Sequence, residues 1–410
     1  MAVQRGRSEQ RGDAYFVPYV ESLSDARTTL ADFFIGLLTL HTTYATINLA
    51  ALGHNLSRIQ ERLAPGSGAM AVVKANAYGH GAVETSRALV QQGISRLAVA
   101  SVKEALALRE AGITADILVL VDLFDEQIPA LLTHRLTPVI TSQRLLPALA
   151  KAAEAQNLSF PVHIKVDTGM GRLGLSPDEL PSLFDALPSW KSLRVEGLMT
   201  HLADSDGDDP RHAEQQLESF RQLLDQLRRR GVNVPLVHAA NSAAIIRFPQ
   251  SHFSLVRPGI TLYGYHTLPD SVPCPALRPV LSLRTTVMQV RTIQPGESVS
   301  YNRTFVAKRK TSIAVLPIGY ADGYSRRLSN TGFVLIQGRR APVVGLVCMD
   351  MTMVDVTGLA PVQVGDEVTL IGQQGKDAVW ADEIAKWTGT IPYEVLCAIG
   401  PRVPRLYEST

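Results

Sequence analysis

The chain has 410 residues, 46% hydrophobic and 19% charged, with a formal net charge of +2. That length predicts a large core split between two domains, and the balanced charge offers no basic block or acidic tail to nucleic acid or an anionic membrane, so a small-molecule partner is expected. The three cysteines, Cys274, Cys348 and Cys397, have neither zinc-site nor disulfide-framework spacing, which fits a reducing cytoplasm and predicts no metal.

Residues 1–43 are polar and mixed in charge before the apolar run ADFFIGLLTL. That run is too short to span a bilayer, and no compact basic region or small-residue cleavage site marks a signal peptide. We expect a leader that is poorly ordered, or a short helix with a strand joining the later β domain.

From 44 to 274 short apolar runs alternate with Ala/Leu-rich helical segments. The expected strands are AMAVVK (69–74), RLAVA (96–100), ILVLV (117–121), LTPVI (136–140), PVHIKV (161–166), LRVEGLM (193–199), VPLVH (234–238) and FSLV (253–256). Between them, segments such as EQQLESFRQLLDQLRRRG carry apolar residues at helical spacing and stop at glycine. Continuous apolar strands separated by helices indicate a parallel sheet buried on both faces, and eight such units indicate a (β/α)8 TIM-type barrel. No GxGxxG follows the first strand, which weakens a dinucleotide-binding alternative. After the proline-rich LPDSVPCPALRP the texture changes to period-two strands with Pro-Gly and Gly-Arg turns, so a second, mostly-β domain is expected over 275–410.

Barrels of this kind carry their chemistry at the C-terminal strand ends. The polar oddities gather there. Lys74 closes the first barrel strand in AVVKANAYGHG, Lys165 closes the fifth, and Arg172 lies just beyond it in VDTGMGRLG. His201 follows the sixth strand, Asn241 and Ser242 the seventh, and Arg257 and Gly259 the eighth. A lysine at the end of a buried strand is costly unless it has a task, because burial disfavours its charged form.

Taken in order, AVVKANAYGHG, KVDTGMGRLG, MTHLADSD, ANSAA, RPGITLYG, VSYNRTF, PIGYADGYSR and VCMDMTMVDV resemble the motif series of bacterial alanine racemase over roughly residues 44–405. The resemblance implies a cytoplasmic homodimer with shared active sites that uses pyridoxal 5'-phosphate to interconvert L- and D-alanine for peptidoglycan. Lys74 then holds the aldehyde cofactor and moves a proton on one face of the substrate, and Tyr301 is the base on the other face. A tyrosine needs hydrogen-bonding or cationic help to act near neutral pH, and His201 matches the histidine that gives it. Arg257 matches the arginine facing the pyridine nitrogen, to which a guanidinium cannot release a proton. Tyr78, Asn241, Ser242, Gly259, Ile260 and Tyr393 match the cofactor and phosphate contacts. Arg172, Met349 and Asp350 match the substrate-binding residues, and Lys165 occupies a position carbamylated in many members. The family commonly has glycine after the second base, where this chain has Asn302 followed by Arg303. Competing readings are a broader amino-acid racemase acting on serine, a decarboxylase of related fold, and a cofactor-binding barrel without turnover.

Overall fold

The computed structural model describes residues 42–121 and 123–409; the leader expected over 1–43 lies, but for Thr42 and Thr43, outside them. Strand β1 (Tyr44–Asn48) leads into the helix Leu49–Gln60. Eight strands follow, with helices between them: β2 (Gly68–Val72), β3 (Arg96–Val99), β4 (Asp116–Val119), β5 (Leu136–Ile140), β6 (Phe160–Lys165), β7 (Leu193–Met199), β8 (Leu236–His238) and β9 (Leu255–Val256). They pair in parallel in the order β8-β7-β6-β5-β4-β3-β2-β9. Between β8 and β9 the ring closes without a ladder, through the N–H of Ser254 to the carbonyl of Val237 (3.2 Å) and that of Arg257 to Ala240 (3.0 Å). The expected barrel is present.

The local causes are plain in the sequence. All five residues of β5 are buried, as befits a strand covered on one side by helices and on the other by the barrel interior. In the helix Arg211–Arg229 the buried residues Ala213, Gln216, Leu217, Phe220, Leu223, Leu224 and Leu227 recur at helical spacing, while the opposite face carries the charges.

The second region consists of β10 (Leu281–Thr286), β11 (Gln289–Ile293), β12 (Ser298–Val299), β13 (Phe305–Val306), β14 (Thr311–Leu316), β15 (Phe333–Ile336), β16 (Arg339–Pro342), β17 (Thr352–Asp355), β18 (Glu367–Gln374), β19 (Asp377–Val379) and β20 (Arg405–Glu408). A mixed sheet runs β16-β15-β18-β10-β1-β20, with β19 beside β18; β11-β14-β17 form a second sheet and β12-β13 a hairpin. Here the structure departs from the expected boundary. Although residue 44 was to open the barrel, β1 pairs antiparallel with β10 and parallel with β20, so Tyr44–Asn48 belongs to the later sheet.

Barrel and sheet share one apolar core, which runs from Leu89, Ile164 and Tyr263 to Ile47, Leu281 and Ile371. Asn55 pins the connection between them. Its Nδ2 donates to the carbonyls of Leu262 (2.9 Å) and Arg278 (2.8 Å), and its Oδ1 accepts from the N–H of Arg278 (2.7 Å). Among the described residues no helix is long and apolar enough to cross a membrane.

Candidate active site

The first barrel strand stops at Val72, not at Lys74 as the sequence led us to expect. Beyond it Ala75, Asn76, Ala77 and Tyr78 all have φ between 52° and 54°, a left-handed turn made without a single glycine. Such backbone costs about 1–2 kcal/mol per residue for L-amino acids. Glu104 offsets part of this cost. Its Oε1 accepts from the N–H of Ala75 and its Oε2 from that of Ala100, each at 2.7 Å. Asn76 Oδ1 takes the N–H of Ala82 at 2.9 Å. Lys74 therefore leaves the barrel on a braced, strained turn and lines a cavity of about 410 Å³ at the C-terminal ends of the strands.

Burial lowers the Lys74 pKa and the Arg172 charge lowers it further, while Glu104 acts in the opposite direction. Burial and the Arg172 charge both raise the share of neutral amine, which is the nucleophile. Lys165, buried at the end of β6, is pulled down to about 8 by burial and then by Arg172 and Arg257. Among the described residues neither Lys165 nor Arg172 forms an ion pair with a carboxylate. The loop carrying Arg172 is shaped by Asp167, whose Oδ1 accepts from the N–H groups of Gly169 (2.9 Å) and Met170 (2.7 Å) and whose Oδ2 accepts from that of Arg172 (3.1 Å).

Arg257 is 4% exposed and spans the cavity wall. Its Nη2 donates to the carbonyls of Thr200 and Ala239, each at 2.9 Å, and to His201 Nδ1 at 3.2 Å, while Nη1 donates to His238 Nδ1 at 2.9 Å. Burial brings its pKa down to about 10, so it is a cation at neutral pH. His201 is driven well below its ordinary value by burial, then by Arg257, Arg172 and the two lysines, so its ring is neutral. Because a guanidinium only donates, His201 Nδ1 must accept, which leaves the ring proton on Nε2.

Across the cavity Ser242 Oγ accepts from the N–H of Gly259 at 2.8 Å. A Cβ on Gly259 would lie 2.5 Å from the Tyr78 hydroxyl, so glycine is what lets that hydroxyl approach the turn. Burial raises the pKa of Tyr78 and pushes that of Tyr393 up to about 12, which keeps both as donors. Asn241 Oδ1 accepts from the N–H of Ala244 (3.0 Å) and from Ser205 Oγ (2.9 Å), which fixes the turn that presents Ser242.

The cavity thus gathers Lys74, Tyr78, Lys165, Arg172, His201, Asn241, Ser242, Arg257, Gly259, Ile260 and Tyr393. It does not gather Tyr301, Met349 or Asp350. Tyr301 is 66% exposed and Met349 52% exposed. Tyr301 borders a separate open depression with Met288, Ser300, Cys348 and Met351. Asp350 is held by Arg402 Nη2 at 2.8 Å, and Arg402 Nε reaches Asp322 at 3.1 Å. Two supporting residues were not anticipated. Glu104 had a readable signal in the Ser101-x-x-Glu104 capping box; Gln216, which pins the His201 loop by donating to the His201 carbonyl (3.2 Å) and accepting from the N–H of Ala203 (2.8 Å), had none.

Comparison with known proteins decides the family. The model of the alanine racemase N-terminal domain matches residues 47–267, and that of the alanine racemase C-terminal domain matches residues 280–407. The chain belongs to the alanine racemase family. It is 43% identical to alanine racemase of Halothermothrix orenii over 90% of this chain and 97% of that protein. It is 44% identical to that of Carboxydothermus hydrogenoformans over 90% and 100%. Alanine racemase of Clostridium difficile 630 superposes with a TM-score of 0.86 at 36% identity, covering 90% of this chain and 96% of that one. Alanine racemase from Bartonella henselae, solved with covalently bound pyridoxal phosphate, gives 0.81 at 33% identity, covering 90% and 100%.

Proposed function

We propose that this alanine racemase interconverts L- and D-alanine in the cytoplasm, as a homodimer with pyridoxal 5'-phosphate as cofactor, and that it supplies D-alanine for peptidoglycan. The observation that carries the reading is the convergence, in one cavity, of an amine with a lowered pKa (Lys74), a buried cation (Arg257) and the hydroxyl and N–H cradle of Tyr78, Ser242, Gly259 and Tyr393. These groups fit a phosphate-bearing aldehyde. Bound there, the cofactor would supply an electron-withdrawing ring that acidifies the α-proton of an amino acid.

Each residue then has a physical task. Lys74 would hold the cofactor's aldehyde carbon, and its amine is placed to move the α-proton on one face. Arg257 stays protonated and would have no proton to hand to the cofactor's ring nitrogen, which would limit the charge that ring accepts. Arg172, which pairs with no carboxylate among the described residues, receives that of the substrate. His201 has its proton on Nε2 and can donate to a tyrosinate, which lowers the pKa of that tyrosine. We assign the tyrosine as Tyr301 from a second copy, with Met349 and Asp350 closing the pocket beside it. We assign Lys165 as carbamylated, since an anion between Arg172 and Arg257 replaces repulsion with attraction.

The test incubates L-alanine and L-serine separately with protein and pyridoxal phosphate, followed by chiral chromatography. Alanine is expected to reach an even mixture with serine slow, and Lys74→Ala is expected to abolish both the turnover and the visible absorption of the covalently held cofactor. Rapid serine turnover would shift the assignment to a broader racemase and point to Asn302 and Arg303. No turnover of either by protein that holds cofactor would refute it.

A further inference from the structure

Behind Arg257 the barrel interior holds a run of side chains that the proposed reaction leaves without a task. From the Arg257–His238 contact the run continues: His238 Nε2 lies 2.8 Å from His163 Nδ1. His163 Nε2 faces Glu196 Oε2 at 3.7 Å, longer than a tight hydrogen bond, and Glu196 Oε1 receives Arg194 Nη1 at 3.3 Å. The guanidinium sets the direction of the whole run. It can only donate, so His238 Nδ1 accepts and the His238 proton sits on Nε2, which makes His163 Nδ1 the next acceptor and puts the His163 proton on Nε2, toward the carboxylate.

The backbone is shaped around this run in two independent ways. Pairing of β6 with β7 passes from Val162–Val195 to His163–Gly197, which leaves Glu196 as the extra residue of a bulge, the device that re-aims a side chain. Beside it, a Cβ on Gly197 would lie 2.3 Å from His163 Nδ1, so the ring rests where only glycine leaves room. His163 and His238 are 2% and 0% exposed. Burial holds both rings neutral, and the contact with His163 holds Glu196 ionised with a pKa down to about 2.

Arg257 needs such a support. Among the described residues its hydrogen-bond partners, two carbonyls and two neutral imidazoles, bring no negative charge, and a buried charge without a counter-charge is unfavourable. We propose that Glu196 is a positioning residue for the racemase reaction, which acts through His163 and His238 to fix the acceptor that holds Arg257 against the cofactor ring. The proposal rests on the assignment of Arg257 given above. Without the carboxylate, only the guanidinium at the far end of the run keeps the His163 proton on Nε2, and the anchor on the His163 side is lost. A proton on Nδ1 would oppose the N–H of His238, and a compensating shift in His238 would set an N–H against the guanidinium.

The test compares wild type with Glu196→Ala and Glu196→Gln. In the apoprotein, 15N NMR of the histidine rings is expected to show His163 and His238 neutral with the proton on Nε2, and Glu196→Ala to move at least one proton to Nδ1. In the loaded enzyme Glu196→Ala should lower kcat for alanine about tenfold, keep KM within about twofold, and raise the fraction of turnovers that end in amino transfer to the cofactor. Unchanged tautomers with an unchanged transamination fraction, even beside a lower melting temperature, would overturn the proposal and leave Glu196 a structural carboxylate. If Glu196→Ala fails to fold, Glu196→Gln decides: it keeps an acceptor oxygen and removes the charge, and wild-type kcat and transamination fraction would overturn the proposal. Wild-type protein without racemisation would refute the assigned reaction, whereas the tautomer shift in apoprotein reports the chain of contacts by itself.

Discussion

Lys165 is a costly residue of the cavity when unmodified. Its pKa falls from 10.5 to about 8, so between those values the unfolded chain binds the proton that the folded protein has lost. Stability therefore rises with pH across that window: the penalty, roughly 3 kcal/mol, is fully present below pH 8 and gone above pH 10.5. In bicarbonate-free buffer Lys165→Met is expected to be the more stable protein by urea unfolding near pH 7, with its advantage shrinking by roughly half near pH 9.5. Added bicarbonate should stabilise wild type and leave the variant unmoved, because a carbamate forms from the neutral amine that the lowered pKa supplies. A gap independent of both pH and bicarbonate would refute the buried, uncompensated lysine.

At the scale of elements, two strained turns carry the proposed bases. Lys74 precedes the left-handed turn, and Tyr301 sits between Ser300 (φ 66°) and Asn302 (φ 57°). Asparagine tolerates a positive φ better than other residues with a side chain, which accounts for Asn302 where the family commonly has glycine. Asn302→Gly is thus expected to leave stability within about 0.5 kcal/mol, and Asn302→Val to cost about 1–2 kcal/mol in chemical denaturation; equal effects would deny the strain. The eight barrel strands were readable as short apolar runs, of which LTPVI is buried at every position. Strand β1 was not, because its pairing with β10 and β20 is set by partners more than 200 residues away in the chain. Nor did the alanines at 75 and 77 announce a positive φ, since only the bracing carboxylate of Glu104 and the tertiary setting impose it. The inward aim of Glu196 depends on a one-residue register shift that no local pattern signals.

For the whole molecule, the separation of Tyr301 from the Lys74 cavity is the main functional fact. If a second copy completes each site, then mixing Lys74→Ala with Tyr301→Phe and reassembling should restore about a quarter of wild-type activity. Half the random dimers are hybrids, and each hybrid has one intact site beside one carrying both lesions. Recovery no greater than the sum of the two inactive parents would show that each chain completes its own site.

The ring of strands has one weak seam, and the proposed cradle lies on it. Strands β8 and β9 are 3 and 2 residues long and meet through isolated hydrogen bonds, with Ser242 following one and Gly259 the other. Under the proposed assignment a phosphate gripped from both banks would act as a clasp, because any breathing of the seam would have to release it. On the proposed cofactor assignment, vitamin supply and mechanical integrity would be coupled in this protein: a chain starved of cofactor would loosen first at the edge where it would otherwise work.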